Sequence, residues 1–210
     1  MAGRPGLRRR ETYQAKRDRL AAVDDPQVVM DAAGRYLEAR RRSVSEVRRH
    51  LAEAGYRDEL VEGVVARLVN LGMLDDVDFA RAWVESRDRA RPRGERALRQ
   101  ELAAKGIDRE TIGEVLLERA AGVDERGEPI DARDGGYEAA DRRAAVALLA
   151  RKSAVLGRVT DPRVRRQRAY ALLARNGFDP DVCRAAASEF GAAGDTAGGA
   201  DSDAVTPDES

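Results

Sequence analysis

Cysteine and histidine are almost absent from this chain of 210 residues, and their scarcity excludes several kinds of site. A single cysteine, Cys183, allows no disulfide framework, which is typical of a reducing compartment. One cysteine and one histidine cannot supply the three or four ligands of a zinc site. Because the single histidine, His50, follows two arginines on a helical pattern, we expect a solvated side chain and not a catalytic base.

Glycine-rich phosphate-binding motifs and long apolar runs are also missing. Neither a P-loop nor a dinucleotide-binding turn occurs, so no nucleotide cofactor is predicted. Adjacent Asp75 and Asp76, with Asp78, are interpreted as a helix cap and not as a metal site. The longest apolar run, residues 144–150, is too short to cross a bilayer, and no apolar stretch follows the N-terminal arginines. We therefore expect a cytoplasmic protein that is not an enzyme, binds no cofactor and does not contact membranes.

Aromatic residues make up only 4% of the chain, so the core must be built from leucine, valine, isoleucine and alanine. An aliphatic core of this kind favours packed helices over a sheet. Trp83 lies on an apolar stripe and is expected in that core, where Cys183 is expected as an inert thiol. The 38 basic and 38 acidic residues cancel, but residues 1–20 hold seven bases against two acids and residues 191–210 hold five acids and no base. Such charge blocks are typical of disordered tails.

Three segments of the chain share one pattern, centred on Gly55, Gly106 and Gly177. Each has a leucine four residues before the glycine, an apolar residue eight before it, and an apolar residue directly after it. The four-residue spacing is one face of a helix, and the glycine stands where a helix ends in the left-handed conformation. A second helix then follows in each segment, with three candidate N-caps: Asp58, Asp108 and Asp179.

A further amphipathic helix precedes each pair, so each repeat is predicted to contain three helices. Ser43 with Glu46 forms a capping box in the first repeat, and Asp161 opens the middle helix of the third. One repeat of about 45 residues buries little surface alone, so neighbouring repeats should stack into an all-α array. The predicted segments are a basic disordered extension (1–23), repeat 1 (24–73), repeat 2 (74–121), an acidic Gly/Pro linker (122–136), repeat 3 (137–190) and an acidic disordered tail (191–210).

The spacing of leucine and glycine also resembles the turn of a helix-turn-helix. The helix after each glycine carries acids in its first turns, as at Asp58 and Glu59, and these would face phosphates. Sequence-specific reading of DNA is therefore not expected. Basic residues gather instead at residues 40–42, 48–49 and 163–168, and above all in the middle segment. Two interpretations stay open for them: a solvated face, or a surface that binds nucleic acid backbone or an acidic protein groove.

Three short strings, Leu74-Asp75-Asp76, Phe79-Ala80 and Lys105-Gly106-Ile107, resemble the RecX family of bacterial regulators. The flanking segments agree at residues 36–37 and 177–178, and the resemblance covers about residues 28–188. The arginine-rich N-terminus, residues 122–136 and the acidic tail have no counterpart in the family core.

The resemblance implies three tandem three-helix repeats stacked into an elongated, curved array that is not catalytic. It also implies that the partner is the RecA recombinase with its nucleoprotein filament, whose ATP hydrolysis, strand exchange and coprotease activity the protein would inhibit. Recombinational repair and the SOS response would be restrained in consequence. We expect a monomer, since the repeats can stack without a second chain. The mode of inhibition stays open.

The middle repeat is the candidate contact surface for this filament. Its basic residues are Arg87, Arg89, Arg91, Arg93, Arg96, Arg99 and Lys105. Two rival functions stay open: a protein that binds the DNA backbone alone, and a helical adaptor for an unrelated partner.

Overall fold

The computed structural model describes residues 12–123, 129–130 and 136–196, and nearly all of them are helical. The elements in this part of the chain are α1 (Tyr13–Ala21), α2 (Pro26–Glu38), α3 (Val44–Ala54), α4 (Asp58–Asn70), α5 (Asp76–Ala90), α6 (Glu95–Ala104), α7 (Arg109–Ala120), β1 (Gly122–Val123), β2 (Pro129–Ile130), α8 (Tyr137–Leu156), α9 (Pro162–Arg175) and α10 (Pro180–Thr196). Helices α2–α4, α5–α7 and α8–α10 form three consecutive three-helix repeats. The predicted all-α repeat class is therefore confirmed.

The chain divides into two compact units. Among the described residues, the first contains those up to Phe79 together with Lys105–Ile107, and the second contains Ala80–Ala104 and those from Asp108 to Thr196. In the first unit, aliphatic side chains of α2, α3 and α4 form the core, with Val29, Val47 and Leu51 fully buried. In the second unit, α8, α9 and α10 pack around Leu149, Leu173 and Phe178.

The helix ends follow the sequence pattern closely. Gly55, Gly106 and Gly177 have φ of 110°, 79° and 81°, the left-handed conformation in which a side chain would be strained. Ser43 and Glu46 form the predicted capping box, and Asp108, Asp161 and Asp179 accept hydrogen bonds from backbone N–H groups at the starts of α7, α9 and α10. These four caps are confirmed.

The predicted cap at Asp58 is wrong. Helix α4 has Arg57 at its N-cap, and no side chain accepts a hydrogen bond from the first turn there. Asp58 lies one residue inside the helix, where its charge still favours the positive end of the helix dipole.

Parts of both ends that were predicted to be disordered are helical. Residues 13–21 form α1, which Thr12 caps by accepting a hydrogen bond from the Ala15 N–H at 3.2 Å, and Leu20 is buried in the core of the first unit. A net positive charge therefore did not prevent one cap and one apolar anchor from fixing a helix. Helix α10 continues to Thr196, past the predicted start of the tail at residue 191. Residues 1–11 and 197–210 lie outside the described residues.

The segment predicted as a linker contains a short antiparallel pair. Gly122 is opposite Ile130, and Val123 is opposite Pro129. The rest of residues 122–136, apart from Gly136, lies outside the described residues. Within the described ranges, every helix is too short or too polar to span a bilayer.

Candidate partner-binding surface

The seven predicted contact residues lie on α5, on α6 and in the segments that follow these helices. Arg87 and Arg89 lie in the last turn of α5, and Arg96 and Arg99 lie on α6. Arg91 and Arg93 connect these two helices, and Lys105 follows α6. Six of the seven belong to the second unit, whereas Lys105 belongs to the first.

Arg89, Arg91 and Arg96 are exposed, and their side chains form no ion pair with any residue that the structure describes. We call these three the open arginines. A guanidinium in this setting presents five N–H donors in a planar fork, which suits carboxylate or phosphate oxygens. Their charges are therefore available to an anionic partner.

Arg87 and Arg93 are instead held by Glu101. Arg87 Nε donates to Glu101 Oε2 at 2.6 Å, and Arg93 Nε lies 3.4 Å from Glu101 Oε1. The Trp83 indole N–H donates to the same Oε2 at 2.9 Å, and the Arg87 guanidinium lies 4.2 Å from the centroid of the Trp83 ring. The carboxylate thus binds three side chains, and two of the predicted contact residues are half-buried beside it.

The expectation that Trp83 lies in the core is corrected by this arrangement. The indole is half-buried, because its N–H needs an acceptor and Glu101 supplies it at the edge of the apolar interior. Phe79, Ala80 and Val84 on the same helix are the buried members of the stripe.

Arg99 and Lys105 also have partners within the fold. Arg99 Nε donates to Glu95 Oε1 at 2.7 Å across one turn of α6. Lys105 Nζ donates to Glu46 Oε1 at 2.7 Å, and the Lys105 carbonyl accepts from Ser43 Oγ at 2.6 Å. Burial works to raise the pKa of Glu46, but Lys105, the Ser43 backbone and Arg40 outweigh it and hold that pKa below its usual value. Lys105 therefore binds a buried carboxylate of the capping box.

His50 is exposed as predicted, although it is not simply solvated. Its ring stacks on Tyr36 with centroids 3.8 Å apart, and the Arg42 guanidinium lies 4.0 Å from the Tyr36 centroid. Burial of the ring and the nearby charge of Arg42 lower the pKa of His50. The side chains of His50, Tyr36 and Arg42 therefore form one stacked group in the first unit.

The remaining chemistry-bearing residues act in the fold. Cys183 is fully buried, and burial, together with Asp179, raises the pKa of its thiol. Asp75 Oδ1 accepts from the N–H groups of Val77 at 2.8 Å and Asp78 at 3.0 Å, so it caps α5 as expected. Across the described ranges, no group of three or more potential ligands is placed to hold a metal ion.

A second basic surface includes Arg163 and Arg166, two members of the basic segment 163–168 that the sequence pattern indicated. A cleft between α9 and α10 is lined by Arg163, Arg166, Gln167, Tyr170, Arg184 and Ser188. The spacing of 163, 166, 167 and 170 marks one face of α9, which the sequence contained. The contribution of α10 depends on how the two helices pack, and sequence spacing does not give that.

Comparison with known proteins relates these helices to a family. The family model for the first three-helix domain of RecX matches residues 30–68, within α2–α4. The model for the second three-helix domain of RecX matches residues 75–116, from the α5 cap into α7.

Relatives of similar length match most of the chain. The Regulatory protein RecX of Mycobacterium ulcerans (strain Agy99) is 34% identical over 161 residues, which cover 75% of this chain and 82% of that protein. The protein of the same name from Mycobacterium leprae (strain Br4923) is 36% identical over 159 residues, covering 75% and 83%. The crystal structure of RecX from Lactobacillus salivarius aligns with a TM-score of 0.62 at 18% identity over 80% of this chain and 97% of that one, which supports the fold.

Proposed function

The chain belongs to the RecX family, and from this premise we propose that it is a negative regulator of the bacterial RecA recombinase. In this proposal it binds the RecA–DNA filament and inhibits ATP hydrolysis, strand exchange and coprotease activity. It acts in the cytoplasm as a monomer, without a cofactor and without catalysis of its own. The observation that carries the proposal is the match over three quarters of the chain to relatives named Regulatory protein RecX. Recombinational repair and the SOS response are the processes restrained.

The open arginines support the choice of contact surface. A recombinase filament presents phosphates and acidic side chains, and exposed guanidinium groups bind both with charge-assisted hydrogen bonds. Arg89, Arg91 and Arg96 have these charges available, whereas the other four predicted residues are already paired within the fold. The proposed contact therefore narrows to three residues.

Repetition of the three-helix fold supports binding to an assembled filament. Tethered repeats that contact several subunits raise one another's effective concentration, so modest individual contacts add to tight binding. We expect preference for filament over unassembled recombinase. We also expect inhibition at well below one molecule per recombinase if filament ends or growth are the target.

The decisive experiment is DNA-dependent ATP hydrolysis by the cognate recombinase while this protein is titrated in. We expect hydrolysis and strand exchange to fall together as binding saturates. Unchanged hydrolysis and strand exchange at a concentration where the filament is saturated would overturn the proposal and leave an adaptor for another partner.

A second titration separates filament binding from binding to the nucleic acid alone. The protein is added to bare single-stranded DNA and to the same DNA coated with recombinase, at one salt concentration. Tighter binding to the coated strand supports the proposal. Equal or tighter binding to bare DNA would favour the protein that binds the DNA backbone alone.

A further inference from the structure

The α9–α10 cleft is a concave basic surface in the second unit, apart from the open arginines. Arg163, Arg166 and Arg184 contribute three exposed guanidinium groups to it. Tyr170 is half-buried and adds an apolar wall with a hydroxyl, while Ser188 adds another hydroxyl. Three cations with two hydroxyls form a site for carboxylate or phosphate oxygens.

The arginines that line this cleft form few ion pairs with other described residues. Arg184 pairs with Asp181 one turn earlier on the same helix, and both are exposed, so water screens the pair. Neither Arg163 nor Arg166 forms a side-chain ion pair with a residue that the structure describes. By contrast Arg165, between them, is buried and reaches the Gly191 carbonyl of α10. The fold therefore turns one arginine inward and leaves two facing the cleft.

The segment of this chain that follows α10 has the complementary charge. Residues 197–210 contain four acids, Asp201, Asp203, Asp208 and Glu209, and no base. Two glycines, Gly198 and Gly199, stand between the helix end and the first of these acids. An acidic stretch behind a glycine spacer has the composition of a tethered anionic ligand.

Helix α10 ends close to Arg166, so the segment that follows it begins within reach of the cleft. A Cβ on Gly191 would lie 3.9 Å from Cβ of Arg166, so α10 passes Arg166 at Gly191. The helix ends at Thr196, which at 1.5 Å per residue is about 8 Å further along the axis. Five extended residues from Thr196 to Asp201 span about 17 Å, which suffices to return to Arg166. The later acids can then follow the cleft toward Arg184.

We propose that the α9–α10 cleft is a binding site for an acidic peptide, and that its occupant is residues 201–209 of this same chain. The acids bind Arg163, Arg166 and Arg184, and the apolar Val205 lies toward Tyr170. Because the tether holds the acids at high effective concentration, they displace external anions of modest affinity. The segment thus competes with external polyanions for this cleft of the third repeat.

The test uses the full chain and a labelled synthetic peptide with the sequence of residues 197–210. In one variant the four acids are neutralised by Asp201→Asn, Asp203→Asn, Asp208→Asn and Glu209→Gln. We expect the labelled peptide to bind this variant about tenfold more tightly than it binds the unmodified chain, because the tethered competitor is gone. Fluorescence anisotropy of the peptide measures both affinities, and added salt should weaken them.

A matched pair of arginine variants locates the site. With the acids neutralised, Arg163→Gln, Arg166→Gln and Arg184→Gln together should weaken peptide binding about tenfold or more. The control changes three exposed arginines of the same unit outside the cleft, Arg143, Arg158 and Arg175, to glutamine and should leave the affinity within about twofold. Equal loss in both variants, equal affinity of the neutralised and unmodified chains, or no peptide binding would each overturn the proposal.

A crosslink in the unmodified cleft gives a second measurement that needs no arginine variant. A photoreactive amino acid replaces Val205 in the full chain, and the crosslinked peptides are mapped by mass spectrometry. Crosslinks within the monomer to α9 or α10 near Tyr170 support the proposal, and crosslinks scattered over other helices would overturn it. Neither experiment contains recombinase or DNA, so their outcome is independent of the proposed function.

Discussion

Two helix N-termini, that of α3 in the first unit and that of α6 in the second, are held at equivalent positions of the repeat but by different chemistry. In each, the N–H of the first helical residue donates to an aspartate of a later helix. Val44 N–H donates to Asp76 Oδ1 at 2.9 Å, and Glu95 N–H donates to Asp141 Oδ1 at 3.0 Å. These aspartates satisfy N–H groups that a helix start leaves without an intrahelical partner.

The residue before each helix shows the difference. At α3 it is Ser43, whose hydroxyl donates to the Lys105 carbonyl while its capping box includes Glu46. At α6 it is Gly94, which has no side chain and donates its backbone N–H to the Asn176 carbonyl at 3.1 Å. The first arrangement uses polar side chains, and the second uses close approach of two backbones. At both helix starts, the residue before the helix donates to a backbone carbonyl, and the first helical residue donates to an aspartate. The hydrogen bonds are therefore alike, although the residues that form them differ.

The largest expected effect on stability comes from removing Arg119, the cation that pairs with Asp141 at the start of α6. Arg119 donates to Asp88 at 2.9 Å and to Asp141 at 2.8 Å, and the side chains of Arg119 and Asp141 are 9% and 6% exposed. Arg119→Met leaves a buried carboxylate without its partner, and we expect unfolding free energy to fall by about 3–5 kcal/mol. Urea unfolding followed by circular dichroism measures this. Adding Asp141→Asn to the same chain should recover part of the loss, and no recovery would contradict the assignment.

The next effect tests the close backbone approach. A Cβ on Gly94 would lie 2.3 Å from the Gly177 carbonyl oxygen and 2.5 Å from Phe178 Cα, and backbone atoms cannot move aside cheaply. We expect Gly94→Ala to cost about 2–3 kcal/mol. The equivalent change in the first unit, Ser43→Ala, removes a cap and should cost about 1 kcal/mol. If Gly94→Ala proved the milder of the two, the distinction between the arrangements would be wrong.

A smaller effect is the response of stability to pH, which should differ between Glu46 and Asp141. The pKa of Glu46 lies below its usual value, so its charged form stabilises the fold above the unfolded pKa, and this contribution is lost as pH falls through the folded pKa. Burial raises the pKa of Asp141 in spite of Arg119, so the folded state of Asp141 binds its proton more readily and acidification favours folding at this site.

Two variants reveal this difference in sign. Between about pH 7 and about pH 4, the stability advantage of the unmodified chain over Glu46→Gln should shrink. The advantage over Asp141→Asn should change in the opposite direction. Urea midpoints across this range measure both, and parallel pH profiles would contradict the prediction.

The smallest effect on stability is expected at the open arginines. Arg89→Ala, Arg91→Ala and Arg96→Ala together should change unfolding free energy by no more than about 0.5 kcal/mol per residue, since they are exposed and unpaired among the described residues. Under the proposed function, the same variant should bind the recombinase filament more weakly and with a flatter salt dependence. Unchanged filament binding at low salt would mark the set as a solvated face. Arg143→Ala with Arg158→Ala is the control.

Local signals explain why the helices were predictable. The left-handed glycines, the capping box at Ser43 and the aspartate caps each depend on residues within one turn, which sequence spacing reports directly. Helix α1 was missed because its anchor is the single buried Leu20 in a charged segment, and one apolar residue gives no period.

The candidate surface was less predictable because its ion pairs join distant parts of the chain. Lys105 pairs with Glu46 across 59 positions, and Arg87 pairs with Glu101 across 14. In the sequence these cations are indistinguishable from Arg89 and Arg91, which have no such partner among the described residues. Spacing therefore identified a basic segment, and tertiary packing decided which of its charges are available.

The bond from Trp83 to Glu101 gives the molecule a built-in optical reporter. Trp83 is the single tryptophan of the chain, so its emission on selective excitation comes from one indole. That indole donates to a carboxylate and lies under the Arg87 guanidinium, two opposite charges whose displacement would shift its emission wavelength. The open arginine Arg89 follows Arg87 by two residues on the same helix. We therefore expect binding at the open arginines to shift the emission wavelength of Trp83 in unlabelled protein, without a contact between the ligand and the indole.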